Sequence, residues 1–241
     1  MTDVALRHGK WWPLLDARMI PDTAMPGEFQ RRHRRWLAAG GLLDRPWFFL
    51  ASAPNPTLPA VLPARTAHVY IKFAALAARE RGLPDPDLSF VNDYGLERQT
   101  AGVNCHRILA LTGKKRKLVA DRILHRLPFQ QARPMHLGEA ERDLLLDCVL
   151  GNAFRGVGTM VRPSNGIALI CYAILFGIPQ VIVAGMSLTD DGHNNPNRKK
   201  FQRLHKEEDR ASFQHFARHH PSIMTSEPEL AQLTGLPLFK G

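Results

Sequence analysis

Cysteine is scarce. Cys105, Cys148 and Cys171 are the whole complement of this 241-residue chain. One of them stays unpaired in any disulfide scheme and no two form a CxxC pair, so a disulfide scaffold is excluded; buried structural thiols in a reducing cytosol are the simple reading. Acidic residues are also in deficit, with 22 Asp and Glu against 32 Lys and Arg, a net charge of +10 and a pI near 10.0. That balance favours an anionic partner, whether nucleic acid, an acidic membrane surface or a phosphorylated small molecule, and does not choose among them. No long apolar core follows the basic residues of the first segment, MTDVALRHGKWW, so no secretory signal is expected and the expected location is cytoplasmic. Internal repeats, low-complexity tracts, a GxGxxG fingerprint and any RNA- or DNA-binding motif are all missing, which leaves nucleic acid supported by charge alone.

What is present is concentrated in residues 162–187, RPSNGIALICYAILFGIPQVIVAGMS. No residue from Gly166 to Thr189 is charged, and about 20 apolar residues are enough to span a bilayer. Three features favour helix, turn and strand instead. Pro179 breaks a spanning helix near its middle, Gly177 is a helix stop, and Val181-Ile182-Val183 is a β-branched run. A helix start, a strand end and a histidine at the head of the next helix then share one neighbourhood.

The remainder reads as strands alternating with helices. Trp47 to Ala51, Val69 to Ile71, Leu88 to Val91 and Ile223 to Thr225 are expected strands, with a weaker one near Leu118–Ala120 after the basic cluster Lys114–Lys117. Phe73 to Arg81, Gly138 to Leu150, residues 205–218 and Glu227 to Leu233 are expected helices. This alternation predicts a doubly wound, mostly parallel α/β sheet over residues 46–241. Residues 1–45 read as a basic extension, in which Trp11, Trp12 and Trp36 lie among Arg7, Lys10, Arg31, Arg32, Arg34 and Arg35. Such a segment either folds over the domain or sits on an anionic membrane surface, with Trp at headgroup depth. The second case makes the protein peripheral on the inner face of the membrane.

Four places offer chemistry. Ser164-Asn165-Gly166 opens the central helix, where free N–H groups and the dipole accept phosphate, with Arg162 two residues upstream; a plain N-cap is the competing reading. Ala53-Pro54-Asn55 follows the first strand, at the edge where α/β sheets bind ligands. Thr189 to Asn195 carries Asp190, Asp191 and His193, enough for a divalent cation or simply a loop of turn formers; no metal is expected. His205 stands four residues before Asp209, so the carboxylate can orient the ring as a general base or the two form a surface ion pair. Eleven histidines make such a spacing common by chance.

In combination these residues resemble the small bacterial sialyltransferases of glycosyltransferase family 42, which use CMP-sialic acid. Pro163-Ser164-Asn165-Gly166, the apolar helix, and Phe176-Gly177-Ile178-Pro179 running into Val181-Ile182-Val183-Ala184-Gly185-Met186-Ser187 look like that family's serine–glycine helix and the strand after it. His205 falls where the family has its catalytic histidine, Ala53–Asn55 where it has its nucleotide loop, and Asn92 where an asparagine contacts the donor. Ser187 stands where the family has an aspartate, and no counterpart of the tyrosine pair that assists the departing phosphate is found. The resemblance implies a Rossmann-like, glycosyltransferase A-like domain and an inverting transfer from a CMP-activated acidic sugar, sialic acid or a Kdo-like sugar, to a surface glycan or glycolipid such as lipopolysaccharide. His205 and Asp209 would be catalytic. Ala53, Pro54, Asn55, Asn92, Arg162, Ser164, Asn165 and Gly166 would bind the donor, which is a substrate, so no cofactor is implied. A noncatalytic nucleotide- or glycan-binding relative is the alternative, and a basic nucleic-acid-binding protein a more remote one.

Overall fold

The computed structural model describes residues 25–92, 98–99, 103–113, 134–189 and 204–241. Trp11, Trp12, the cluster Lys114–Lys117, the weak strand expected at Leu118–Ala120 and the loop residues Asp190 to Asn195 lie outside the described residues.

Seven strands form one sheet: β1 (Trp47–Leu50), β2 (Ala67–Ile71), β3 (Leu88–Asn92), β4 (Ile108–Thr112), β5 (Met135–Gly138), β6 (Val181–Ala184) and β7 (Ile223–Thr225). Their order is β5-β4-β3-β2-β1-β6-β7 and every neighbouring pair is parallel. The expected doubly wound α/β fold is therefore present. Trp47 stands opposite Ala67 on one side and Val181 on the other, and Leu50 opposite Tyr70 and Ala184. All four residues of β1 are buried, as an uninterrupted aromatic and aliphatic run must be when both faces are covered.

β4 and β5 were not among the expected strands. Ile108-Leu109-Ala110-Leu111 is rich in good helix formers, and only its place between β3 and β5 settles it as a strand.

The described residues hold six helices, α1 (Gly27–Ala39), α2 (Ala74–Glu80), α3 (Glu139–Leu150), α4 (Asn165–Leu175), α5 (Lys206–His219) and α6 (Pro228–Thr234); the last five stand at the expected places and α1 was not expected. In α4, every residue from Gly166 to Ala173 is buried. The helix stops at Gly177, whose φ of 71° suits glycine, and Ile178 N–H returns to the Ala173 carbonyl at 3.0 Å before β6 begins. No helix among the described residues is long and apolar enough to cross a membrane.

Of the two readings of the N-terminal segment, the described residues agree with an extension folded over the domain: α1 lies against the core. Phe29, His33, Trp36 and Leu37 follow helical spacing on one face and are buried, while Arg31, Arg32, Arg34 and Arg35 face solvent. Trp36 lies beneath the Arg107 guanidinium, 5.4 Å from its ring centre, rather than at a lipid surface. His33 stacks on Phe29 at 4.0 Å and its Nδ1 is 2.8 Å from the Tyr172 hydroxyl of α4. The arginines hid this apolar stripe in the sequence. The thiols are free as expected, although Cys148 is only half-buried.

Candidate functional site

The chain steps outward from β1 through β5, then crosses back to lay β6 on the other side of β1. The strand order reverses between β1 and β6, and a crevice opens beyond the carboxyl ends of strands at such a point. A cleft of about 150 Å³ lies there. Ala51 and Ser52 line it from the end of β1, Ile71 and Lys72 from β2, and Met186 and Ser187 from β6. Ser164, Asn165 and Gly166 come from the start of α4; Leu204, His205, Lys206 and Asp209 come from the start of α5.

Gly185 lets the ends of β1 and β6 close together. Its φ is 69°, and a Cβ there would sit 2.5 Å from the Ala51 carbonyl oxygen. Its N–H donates to Glu227 Oε1 at 2.6 Å, and its carbonyl accepts from Ala53 N–H at 2.8 Å.

His205 is the N-cap residue of α5. Its Nδ1 lies 2.8 Å from the Arg162 carbonyl oxygen. A carbonyl only accepts, so Nδ1 carries the proton and Nε2 of the neutral ring holds the lone pair. Burial pulls the ring below the ordinary histidine range; the bond to Arg162 and the Glu208 carboxylate oppose this, and the charges of Arg162 and Lys72 reinforce it. The imidazole is neutral at pH 7 and can accept a proton at Nε2.

Asp209 does not orient that ring through Nδ1. It is 4% exposed, and Oδ1 accepts the backbone N–H of Ser164 at 2.7 Å. A backbone carbonyl holds His205 instead, because the first turn of α5 aims its carboxylates at the loop before α4. Glu208 does the same one residue earlier, accepting Met160 N–H at 2.6 Å. These two buried acids fasten residues 160–164 to the first turn of α5.

Ser164 is the N-cap of α4 by backbone conformation, yet its side chain makes no cap bond. Its Oγ is buried without a hydrogen-bond partner among the described residues. The first N–H groups of a helix have no partner within it, so the α4 terminus faces the cleft as a set of donors.

The other expected site residues fall elsewhere. The Arg162 guanidinium is 3.6 Å from Asp143 and does not line the cleft; the residue contributes its carbonyl. Ala53 is buried, the Pro54 carbonyl accepts from Arg81 at 2.8 Å, and Asn55 is exposed, so the cleft takes Ala51 and Ser52 in their place. Asn92 ends β3, two strands from the crevice, with Oδ1 bound by Gln99 Nε2 at 2.6 Å. The sequence reading missed Ser52, Lys72, Met186, Ser187 and Lys206. For Lys72 a signal existed, since it is a cation directly after an expected strand. Among the described residues no group of three or more His, Cys, Asp or Glu is arranged to hold a metal ion.

No protein-family model matches the sequence, and no curated protein does. Solved structures share the fold. The sialyltransferase CstII from Campylobacter jejuni, in complex with the substrate analogue cytidine-5'-monophosphate, superposes with a TM-score of 0.52 at 9% identity, over 81% of this chain and 86% of that one. The same enzyme with trisaccharide acceptor and CMP gives 0.50 at 12% identity, over 81% and 87%. The monofunctional alpha-2,3-sialyltransferase Cst-I from Campylobacter jejuni gives 0.50 at 13% identity, over 81% of each chain. At these identities the likeness is one of fold.

Proposed function

We propose that the chain is an inverting glycosyltransferase that moves a CMP-activated acidic sugar, sialic acid or a Kdo-like sugar, to a hydroxyl of a surface glycan or glycolipid. The observation that carries this reading is the pairing of His205, neutral and with Nε2 unprotonated, with the α4 N-terminus in one cleft at the strand-order reversal. The fold shared with a CMP-bound sialyltransferase supports the choice of nucleotide.

His205 Nε2 takes the proton of the acceptor hydroxyl as its oxygen attacks the anomeric carbon from the face opposite the nucleotide. The bond from that carbon to the phosphate oxygen breaks, and its electron pair leaves with CMP. The α4 N–H groups and Ser164 Oγ receive the charge that builds on the phosphate, in an orientation set before reaction. Asp209 serves by holding Ser164 in place.

The test is twofold. CMP, but not AMP or RNA, should raise the melting temperature. CMP-sialic acid or CMP-Kdo should then be consumed with acceptor by the parent protein and far more slowly by His205→Ala. Failure of CMP to stabilise the protein would overturn the reading; stabilisation without turnover of either donor would favour the noncatalytic relative.

A further inference from the structure

Transfer in the cleft makes no use of the positive charge on α1. That helix, GEFQRRHRRWLAA, holds four arginines and a single acid, Glu28. Arg32 is paired with Glu141 of α3 at 3.2 Å. The guanidinium groups of Arg31, Arg34 and Arg35 are different: all three residues are exposed, and among the described residues none of these groups has an ion pair or hydrogen bond. They stand at i, i+3 and i+4, so they share one face with Cβ atoms about 5–6 Å apart. Like charges at this spacing repel and weaken a helix. α1 withstands it because Phe29, His33, Trp36 and Leu37 anchor the opposite face in the core. The result is a fixed cluster of cations with no carboxylate set against it.

The surroundings of the cluster narrow the choice of anion. None of the three arginines lines the cleft, and a convex helix face presents charge to a surface rather than enclosing a small molecule. Bases would find nothing to stack on: Phe29 and Trp36 are turned into the core, and Trp36 is covered by Arg107. Gln30, the one side-chain amide of the helix, is bonded to the Met25 carbonyl at 3.0 Å, which leaves no free amide for base readout. The outward face carries no large apolar side chain either, since Ala38 and Ala39 complete it.

We propose that the Arg31, Arg34 and Arg35 face of α1 docks on an anionic phospholipid surface. The guanidinium groups meet lipid phosphates at headgroup level, where their planar fork matches two phosphate oxygens. No side chain of this face enters the hydrocarbon. This differs from the interfacial segment expected from the sequence, because Trp36 is packed inside and charge alone does the binding. The attraction acts only within about a Debye length, so docking is reversible and salt-sensitive. It rests on α1 and not on the transferase reading; where the acceptor is a glycolipid, it brings cleft and acceptor to one surface.

The experiment is vesicle sedimentation of the full chain at about 50 mM salt, with phosphatidylcholine vesicles that hold no anionic lipid or about 30 mol% phosphatidylglycerol. The parent should sediment with the anionic vesicles only, and about 0.5 M salt should release it. Arg31→Gln, Arg34→Gln and Arg35→Gln together should weaken binding about 100-fold, at about fivefold per arginine. Glutamine is a good helix former, so this variant should melt no lower than the parent. Arg31→Lys, Arg34→Lys and Arg35→Lys together should retain most of the binding. Removing three exposed cations elsewhere, with Arg65→Gln, Arg218→Gln and Lys240→Gln, should change it less than about threefold. Equal sedimentation with both vesicle types, binding that survives about 0.5 M salt, or equal losses in the two glutamine variants overturns the proposal. So does a single-stranded RNA bound more tightly than the anionic vesicles and released by the α1 substitutions, which assigns the face to nucleic acid. Stabilisation by CMP should be the same in the parent and the α1 variant, so failure of either reading leaves the other standing.

Discussion

Replacing His33 with phenylalanine should make the protein less sensitive to acid. His33 is fully buried between α1 and α4, and its pKa is lowered from 6.5 to about 3, first by burial and then by the Arg32 charge. Arg32 approaches Nε2 at 3.3 Å and can only donate, so the neutral ring carries its proton on Nδ1 and donates it to the Tyr172 oxygen. In the unfolded chain the same ring takes up a proton near pH 6.5. Below that pH the unfolded state binds more protons than the folded one, and stability falls by about 1.4 kcal/mol per pH unit until the folded pKa is reached. Between pH 7 and pH 5 His33 alone should therefore remove about 2 kcal/mol.

Urea unfolding of parent and His33→Phe at the two pH values isolates this contribution, because His205, His215 and His220 are shared by both proteins and cancel. Phenylalanine keeps the stack on Phe29 but strands the Tyr172 hydroxyl, so the variant should start about 1–3 kcal/mol less stable at pH 7. It should then lose about 2 kcal/mol less than the parent on going to pH 5. Removing both polar partners, His33→Phe with Tyr172→Phe, should recover most of the initial loss. Parallel losses in parent and His33→Phe would refute the argument that His33 is held neutral.

His205→Ala should lower transfer by about 10²–10⁴-fold with CMP affinity nearly unchanged, measured by donor consumption and calorimetry. In the parent, the acid limb of kcat/KM should have its midpoint below the usual histidine range, since burial depresses the ring, and activity should persist on acidification until that midpoint is crossed; a midpoint above about 6.5 would contradict the geometry. Asp209→Ala removes the acceptor of a buried N–H and should destabilise the protein by about 1.5–3 kcal/mol in urea, leaving the His205 tautomer unchanged by nitrogen-15 shifts. Gly185→Ala drives a Cβ against the Ala51 carbonyl from a left-handed backbone; a loss of about 2 kcal/mol or more, roughly 4–8 °C in Tm, is expected by calorimetry.

Local chemistry carried much of the fold in the sequence. Gly177 and Pro179 broke the uncharged stretch into helix and strand, because a left-handed turn and a missing N–H act on the backbone wherever they occur. The alternation of strand and helix limited the topology to a parallel sheet, and the order Ser164-Asn165-Gly166 marked a helix start. His205 was legible for the same reason, standing next to an obvious helix beyond an obvious strand. Position across the sheet was not legible. β4 carries helix-forming residues and is a strand because β3 and β5 offer it backbone partners. α1 looked like a charged extension because its buried residues find their partners far away in sequence, Tyr172 of α4 for His33 and Arg107 for Trp36. The partner of His205 is a carbonyl 43 residues away in sequence, and Asp209, which helical spacing had assigned to the ring, turns to Ser164 N–H instead. Lys72 enters the cleft because β2 lies beside β1 at the point of strand reversal. Sequence determines what each segment can do over a few residues, where backbone sterics and hydrogen bonding are local. Which segments share a cleft depends on strand order and on the packing of buried faces, and those are settled only when the whole chain closes around its core.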